Sequence, residues 1–108
     1  MAQAKVKADD VFNALGDPTR RAIVLKLVKG PSSVTQLAEP LGITLTAVKQ
    51  HLDVLEASGL VSTRKVGRVR TCSFETKGLA VIETWVNVQR TMWSQALDRL
   101  GDFLDEED

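Results

Sequence analysis

The stretch from Leu41 to Val61, Leu-Gly-Ile-Thr-Leu-Thr-Ala-Val-Lys-Gln-His-Leu-Asp-Val-Leu-Glu-Ala-Ser-Gly-Leu-Val, constrains the fold more than any other part of the chain. Gly42 turns the backbone, and Thr44 offers a side-chain oxygen to the free N–H groups that open a helix. Val48, Leu52 and Leu55 follow at i, i+4 and i+7, the stripe of a helix with one buried face. The helix is predicted to run to about Ser58, where Gly59 stops it with the apolar Leu60 alongside. Just upstream, Ser33-Val-Thr-Gln36 matches a capping box that opens a short helix through Leu37 and Ala38. Ala38, Gly42 and Val48 then supply a small residue, a turn glycine and a buried aliphatic. That spacing lets two helices cross closely, as in a helix-turn-helix.

The flanking sequence extends this unit into a mainly α fold with a small β-hairpin. Asp9–Leu15 is a short helix candidate with Val11, Phe12 and Leu15 on one face, ended by Gly16. Asp17-Pro18 restarts a helix at once, Asp17 as cap and Pro18 at the first position, where no N–H is needed. Ile23, Val24, Leu27 and Val28 give it an apolar face, and Gly30-Pro31 stops it. Pro40, lacking an N–H, is expected to tighten or end the third helix early. Leu60–Lys65 and Val69–Phe74 alternate as strands joined at Val66-Gly67-Arg68. A long amphipathic helix runs from about Lys77 to Leu104, roughly 40 Å at 1.5 Å per residue. The expected order is four helices, a hairpin and a fifth helix, forming one domain over residues 1–108. Within it the helix-turn-helix occupies 33–58, the hairpin wing 60–74 and the terminal helix 77–104.

Among 108 residues, 44% are hydrophobic and 26% charged, which excludes wholesale disorder, and no apolar run is long enough to span a membrane. The first ten residues lack the apolar core of a secretion signal, so a cytoplasmic protein is expected. One cysteine and one histidine cannot form an internal disulfide or a zinc cage. The net charge of zero is unevenly spread. Residues 1–72 carry eleven bases against six acids, a net +5, and residues 73–108 carry three against eight, a net −5. A basic body and an acidic end suggest an electropositive working face, with Asp105–Asp108 as a solubilising tail that frays beyond the helix.

With Val48 and Leu52 turned inward, Leu45, Thr46, Lys49, Gln50 and Asp53 face out. These side chains suit a DNA major groove: Gln pairs with adenine, Lys with guanine or phosphate, and Thr and Leu with a thymine methyl. Thr44 and the N–H groups at the helix start can hold a phosphate. Exposed Lys and Gln alone would mark only a solvated face. The hairpin adds Arg64, Lys65, Arg68 and Arg70 within seven residues around a glycine turn, a charged tip able to reach a minor groove or flanking phosphates. His51, beside Gln50, either touches phosphate or packs at the helix crossing. It has no nucleophile partner, and no phosphate-binding glycine motif is present, so nothing supports an enzyme. Cys72 shares strand parity with Phe74 and is expected to point inward as a small apolar group.

These segments also resemble a known family. Leu41 to Val61 looks like the signature of ArsR-type winged-helix transcriptional regulators, Asp17-Pro-Thr-Arg-Arg-Ala-Ile23 like their second-helix opening, and Arg64-Lys-Val-Gly-Arg68 like their wing. The similarity covers roughly residues 9–76. Trp85, Trp93, Leu97-Asp-Arg-Leu100 and Phe103-Leu104 resemble the terminal helix of a subgroup without obvious metal ligands. The resemblance implies a homodimeric repressor on double-stranded DNA, joined through its first and last helices; no cofactor is expected. Val11, Phe12, Leu15, Trp85, Met92, Trp93, Leu97, Leu100, Phe103 and Leu104 would form that interface.

Gln36-Leu-Ala-Glu-Pro40 stands where metal-sensing members place cysteines, and the last helix has no histidine; Asp98, Asp102 and Glu106, four apart, read as solvated carboxylates. Trp85, Met92 and Trp93 fit either a pocket for a small apolar effector or a subunit interface. The length of the apolar face, Leu79 to Leu104, favours the interface, because a chain this small cannot cover it. The competing class is a winged-helix module that binds an acidic protein partner through the same basic surface.

Overall fold

A computed structural model describes residues 5–106. Among them the elements follow in the order α1 (Ala8–Leu15), α2 (Pro18–Lys29), β1 (Ser32–Ser33), α3 (Val34–Leu41), α4 (Leu45–Ala57), β2 (Val61–Val66), β3 (Val69–Phe74) and α5 (Lys77–Glu106). No helix among the described residues is long and apolar enough to cross a membrane.

Capping chemistry sets most of the boundaries. Asp17 Oδ1 accepts from the N–H groups of Thr19 at 2.8 Å and Arg20 at 3.1 Å, closing the start of α2. Arg20 and Arg21 reach back to the carbonyls that end α1 and lack partners within that helix. Arg20 donates through Nε to Ala14 at 2.8 Å and through Nη2 to Asn13 at 3.0 Å, and Arg21 Nη1 to Leu15 at 2.7 Å. Asp-Pro-Thr-Arg-Arg thus folds a corner in which one helix start holds the end of the one before.

The Arg20 N–H holds the Asp17 carboxyl below its ordinary range, helped by the Thr19 N–H and by the Arg20 and His51 charges, with desolvation opposing. Stability from the ionised cap is therefore present above the ordinary aspartate pKa and lost as pH falls through the depressed one. Asp17→Asn keeps a capping oxygen but removes the charge. Wild type is expected to exceed it in urea stability at neutral pH, with the gap closing as Asp17 protonates. A gap constant with pH would remove Asp17 from this role.

The α3 start shows the expected box: Ser33 Oγ accepts from the Gln36 N–H at 3.2 Å, and Gln36 Oε1 accepts from the Ser33 N–H at 2.9 Å. Of the two outcomes expected of Pro40, an early end to the helix does not occur. Pro40 leaves the Gln36 carbonyl without its partner four residues on, and Lys26 Nζ from α2 donates to that oxygen at 2.7 Å. The helix continues to Leu41 and ends at Gly42, whose φ of 65° is the left-handed conformation that glycine adopts without strain.

The sheet has three strands in the order β1-β3-β2, all antiparallel, rather than a lone hairpin. Ser32 pairs with Cys72 and Ser33 with Thr71, so Ser33, read only as a cap, also forms a two-residue edge strand with Ser32. In the hairpin Val61 faces Phe74, Thr63 faces Cys72 and Lys65 faces Arg70. The core gathers Val11, Ala14, Ile23, Leu27, Leu37, Val48, Leu52, Leu55, Leu60, Val61 and Cys72. Burial pushes the Cys72 thiol up, so it sits as a neutral apolar group. Three sequence expectations change here. Val11 has no exposed surface and belongs to this core, not to an outer interface, while Phe12 beside it faces out. Val28 lies on the exposed side of α2, where only Ile23 and Leu27 are fully buried. Asp105 and Glu106 do not fray, because α5 carries them in its last turn; Glu107 and Asp108, the rest of the expected tail, lie outside the described residues.

Candidate nucleic-acid interface

The exposed start of α4 and the wing face each other across a cleft of about 750 Å³. Thr44 caps α4 by accepting from the Ala47 N–H at 3.0 Å, which leaves its own hydroxyl proton free to donate. Val48, Leu52 and Leu55 are buried as the stripe requires, and Leu45, Thr46, Lys49, Gln50 and Asp53 are exposed. Leu45 and Lys49 line the cleft from the helix side; Lys65, Arg68, Val69 and Arg70 line it from the wing. Ser33 and Thr35, at the start of α3, close its third side with hydroxyl groups.

The wing cations have three different placements. Arg68 sits in the turn and is exposed. Lys65 and Arg64 alternate along β2 and point to opposite faces of the hairpin, Lys65 toward the cleft. Arg70 is half-buried and donates through Nη2 to Glu56 Oε2 at 3.1 Å. His51 is also half-buried on α4. Asp53 lies beyond these groups, beside a separate hollow shared with Lys5, Asp10 and Asn13.

Three contributors were not found by reading the sequence. Ser33 and Thr35 stood there only as parts of a cap, and Glu56 lies fourteen residues from Arg70, with no local spacing to connect them. A third hollow lies over α2 and α3 at Lys26 and Pro40. Trp85, Met92 and Trp93 line none of these three cavities.

The second exposed surface is apolar. Phe12 and Trp85 stack edge to face at 5.0 Å between centroids, joining α1 to α5. Leu15 is half-buried against the core. Past this point α5 leaves the body: Met92, Trp93, Leu97, Leu100, Phe103 and Leu104 are each more than half exposed, and the molecule is 71 Å long against 37 and 20 Å in its other directions. Asp98, Asp102 and Glu106 are exposed on the same helix, and no group of three or more His, Cys, Asp or Glu among the described residues could hold a metal ion.

Comparison with known proteins gives this geometry its setting. A helix-turn-helix domain model matches residues 15–64. The chain is 38% identical over 99 residues to the HTH-type transcriptional regulator Rv2034 of Mycobacterium tuberculosis, covering 92% of this chain and 90% of that one. The crystal structure of an ArsR family transcriptional regulator matches with a TM-score of 0.77 and 40% identity, over 87% of this chain and 97% of the other. A possible ArsR-family regulator from Mycobacterium bovis, described as a homodimeric winged helix-turn-helix DNA-binding domain, matches with a TM-score of 0.61 and 26% identity, over 82% and 80%. Caps, stripe, wing and whole-length similarity agree: the chain belongs to the ArsR family of winged helix-turn-helix regulators and is a DNA-binding transcriptional regulator.

Proposed function

We propose that the protein is a homodimeric repressor that reads an inverted-repeat operator, with residues 33–58 as the reading unit, 60–74 as the wing and 77–104 as the dimerisation helix. The observation that carries this reading is the convergence of Lys49, Lys65 and Arg68 on one cleft beside the exposed start of α4. Thr44–Gln50 enter the major groove, with Gln50 and Lys49 toward base edges and the Thr44 hydroxyl on a phosphate. Arg64, Lys65 and Arg68 take phosphates and the minor groove. The homodimeric relative and the unpartnered face of α5 both support the dimer. A two-fold pair would set the two α4 helices about 34 Å apart, one turn of DNA. Repression follows where the operator overlaps a promoter, and some relatives are named repressors. This reading puts the chain in the cytoplasm, with its DNA.

Retention on random duplex DNA at low and moderate salt is the first test. Salt-sensitive retention is expected; none at low salt would favour a protein partner instead. Single substitutions then separate the roles. Gln50→Ala should relax base preference at one operator position by about 1–3 kcal/mol, whereas Arg68→Ala should weaken all sequences alike and reduce the salt slope by about one. Equal loss on operator and random duplex in Gln50→Ala would remove that side chain from base readout.

A further inference from the structure

We infer that Glu56 is a positioning residue that fixes the wing against the recognition helix, with Thr63 and Arg70 as its two anchors. The inference deepens the proposed DNA-binding mode and rests on it. Glu56 stands in the last turn of α4, whose other end presents Leu45 to Gln50. Its Oε1 accepts from the Thr63 hydroxyl on β2, and its Oε2 from Arg70 Nη2 on β3 at 3.1 Å. Arg70 Nη2 also donates to Thr63 Oγ1 at 3.4 Å, which closes the ring. Among the described residues no other side-chain hydrogen bond joins α4 to the wing.

Two physical consequences follow. The strand register sets Lys65 directly opposite Arg70, and like charges in that position repel. The Glu56 carboxylate is the counter-charge that lets Arg70 stay there, leaving Lys65 free toward the cleft. Among the described residues the wing therefore offers DNA three cations without an ion-pair partner, Arg64, Lys65 and Arg68, with Arg70 committed to orientation. The ion pair is also about a third exposed on each side, 31% and 31%, a setting in which such pairs add little to folding stability. Loss of the ring should unpin the wing without unfolding the chain.

The experiment uses the full chain, random duplex DNA, and an operator selected by wild type from a randomised pool, with binding followed across a salt series. Glu56→Gln cannot neutralise Arg70. Its salt slope on random duplex should steepen by about one as Arg70 becomes free to take a phosphate, while operator affinity falls about tenfold, the order of one lost base contact. Arg70→Gln should lose operator affinity similarly with an unchanged salt slope. Thr63→Ser, which keeps the hydroxyl, should behave as wild type, and Thr63→Val should lose operator preference. A salt slope reduced by one in Arg70→Gln, with equal loss on both DNAs, would overturn the inference by making Arg70 a direct phosphate contact. Parallel losses on both DNAs in Glu56→Gln, tracking a lowered melting temperature, would overturn it in favour of a purely structural role. Absence of any wild-type retention at low salt would instead bring down the DNA-binding mode on which the ring depends.

Discussion

Replacing Trp93 and Leu97 together with glutamate is expected to give a monomer in sedimentation velocity and to reduce operator affinity by about 10²–10⁴ fold, the gain that joining two binding units confers. The two side chains are 64% and 67% exposed in the single chain, so their removal takes nothing from its core. α5 has 30 residues and extends about 45 Å, while the part packed on the body ends near Trp85. The remaining turns carry Met92, Trp93, Leu97, Leu100, Phe103 and Leu104 on an apolar face that nothing among the described residues covers. Burying such a face on a second copy gives about 25 cal/mol for each Å² removed from water, and two carboxylates from each protomer would have to be desolvated unpaired in that contact. Random-duplex binding per protomer should fall much less than operator binding, because the proposed phosphate contacts belong to each wing separately. Dimers persisting in the double variant would place the interface elsewhere.

What could be read from the sequence was local. The caps at Asp17, Ser33 and Thr44 were legible because a helix start leaves N–H groups free and only a few side chains can accept from them; all three form the expected bonds. The stripe Val48, Leu52, Leu55 was legible because it lasts long enough to fix a phase. In α1, with eight residues and adjacent Val11 and Phe12, the phase was open, and packing against the rest of the chain decided that Val11 points in and Phe12 out. A strand of two residues has no periodicity to detect, so β1 was invisible until Cys72 and Thr71 were seen beside it. The rescue of Pro40 by Lys26 and the ring at Glu56 depend on partners brought together only by the fold. The recognition helix and the wing were thus separately readable, and the groups that set their relative position were not.

The other large effect is expected at Gly78, another residue with no local signal. Its N–H donates to the Gly59 carbonyl at 2.7 Å, so the start of α5 lies directly on the corner between α4 and β2. A Cβ added at Gly78 would stand 2.3 Å from the Ser58 carbonyl oxygen and 3.1 Å from the Gly59 carbonyl carbon and oxygen. Every one of these is a backbone atom, so no rotamer change relieves the overlap. α5 must move off the corner or the corner must open. Gly78→Ala is therefore expected to cost about 2–3 kcal/mol, in the range of overpacked cores, although alanine is the better helix former. Gly101, on the same helix, supplies the control: an added Cβ there meets nothing within 4 Å among the described residues, and Gly101→Ala should hold or raise stability by up to about 1 kcal/mol. Urea unfolding of the two variants checks the contrast. The displacement in Gly78→Ala also changes the angle between α5, the proposed dimerisation helix, and α4, the proposed reader of DNA. Operator affinity should then drop further than random-duplex affinity in the fraction that remains folded. A wild-type unfolding midpoint in Gly78→Ala would mean that the corner yields freely and does not set the spacing of the two recognition helices.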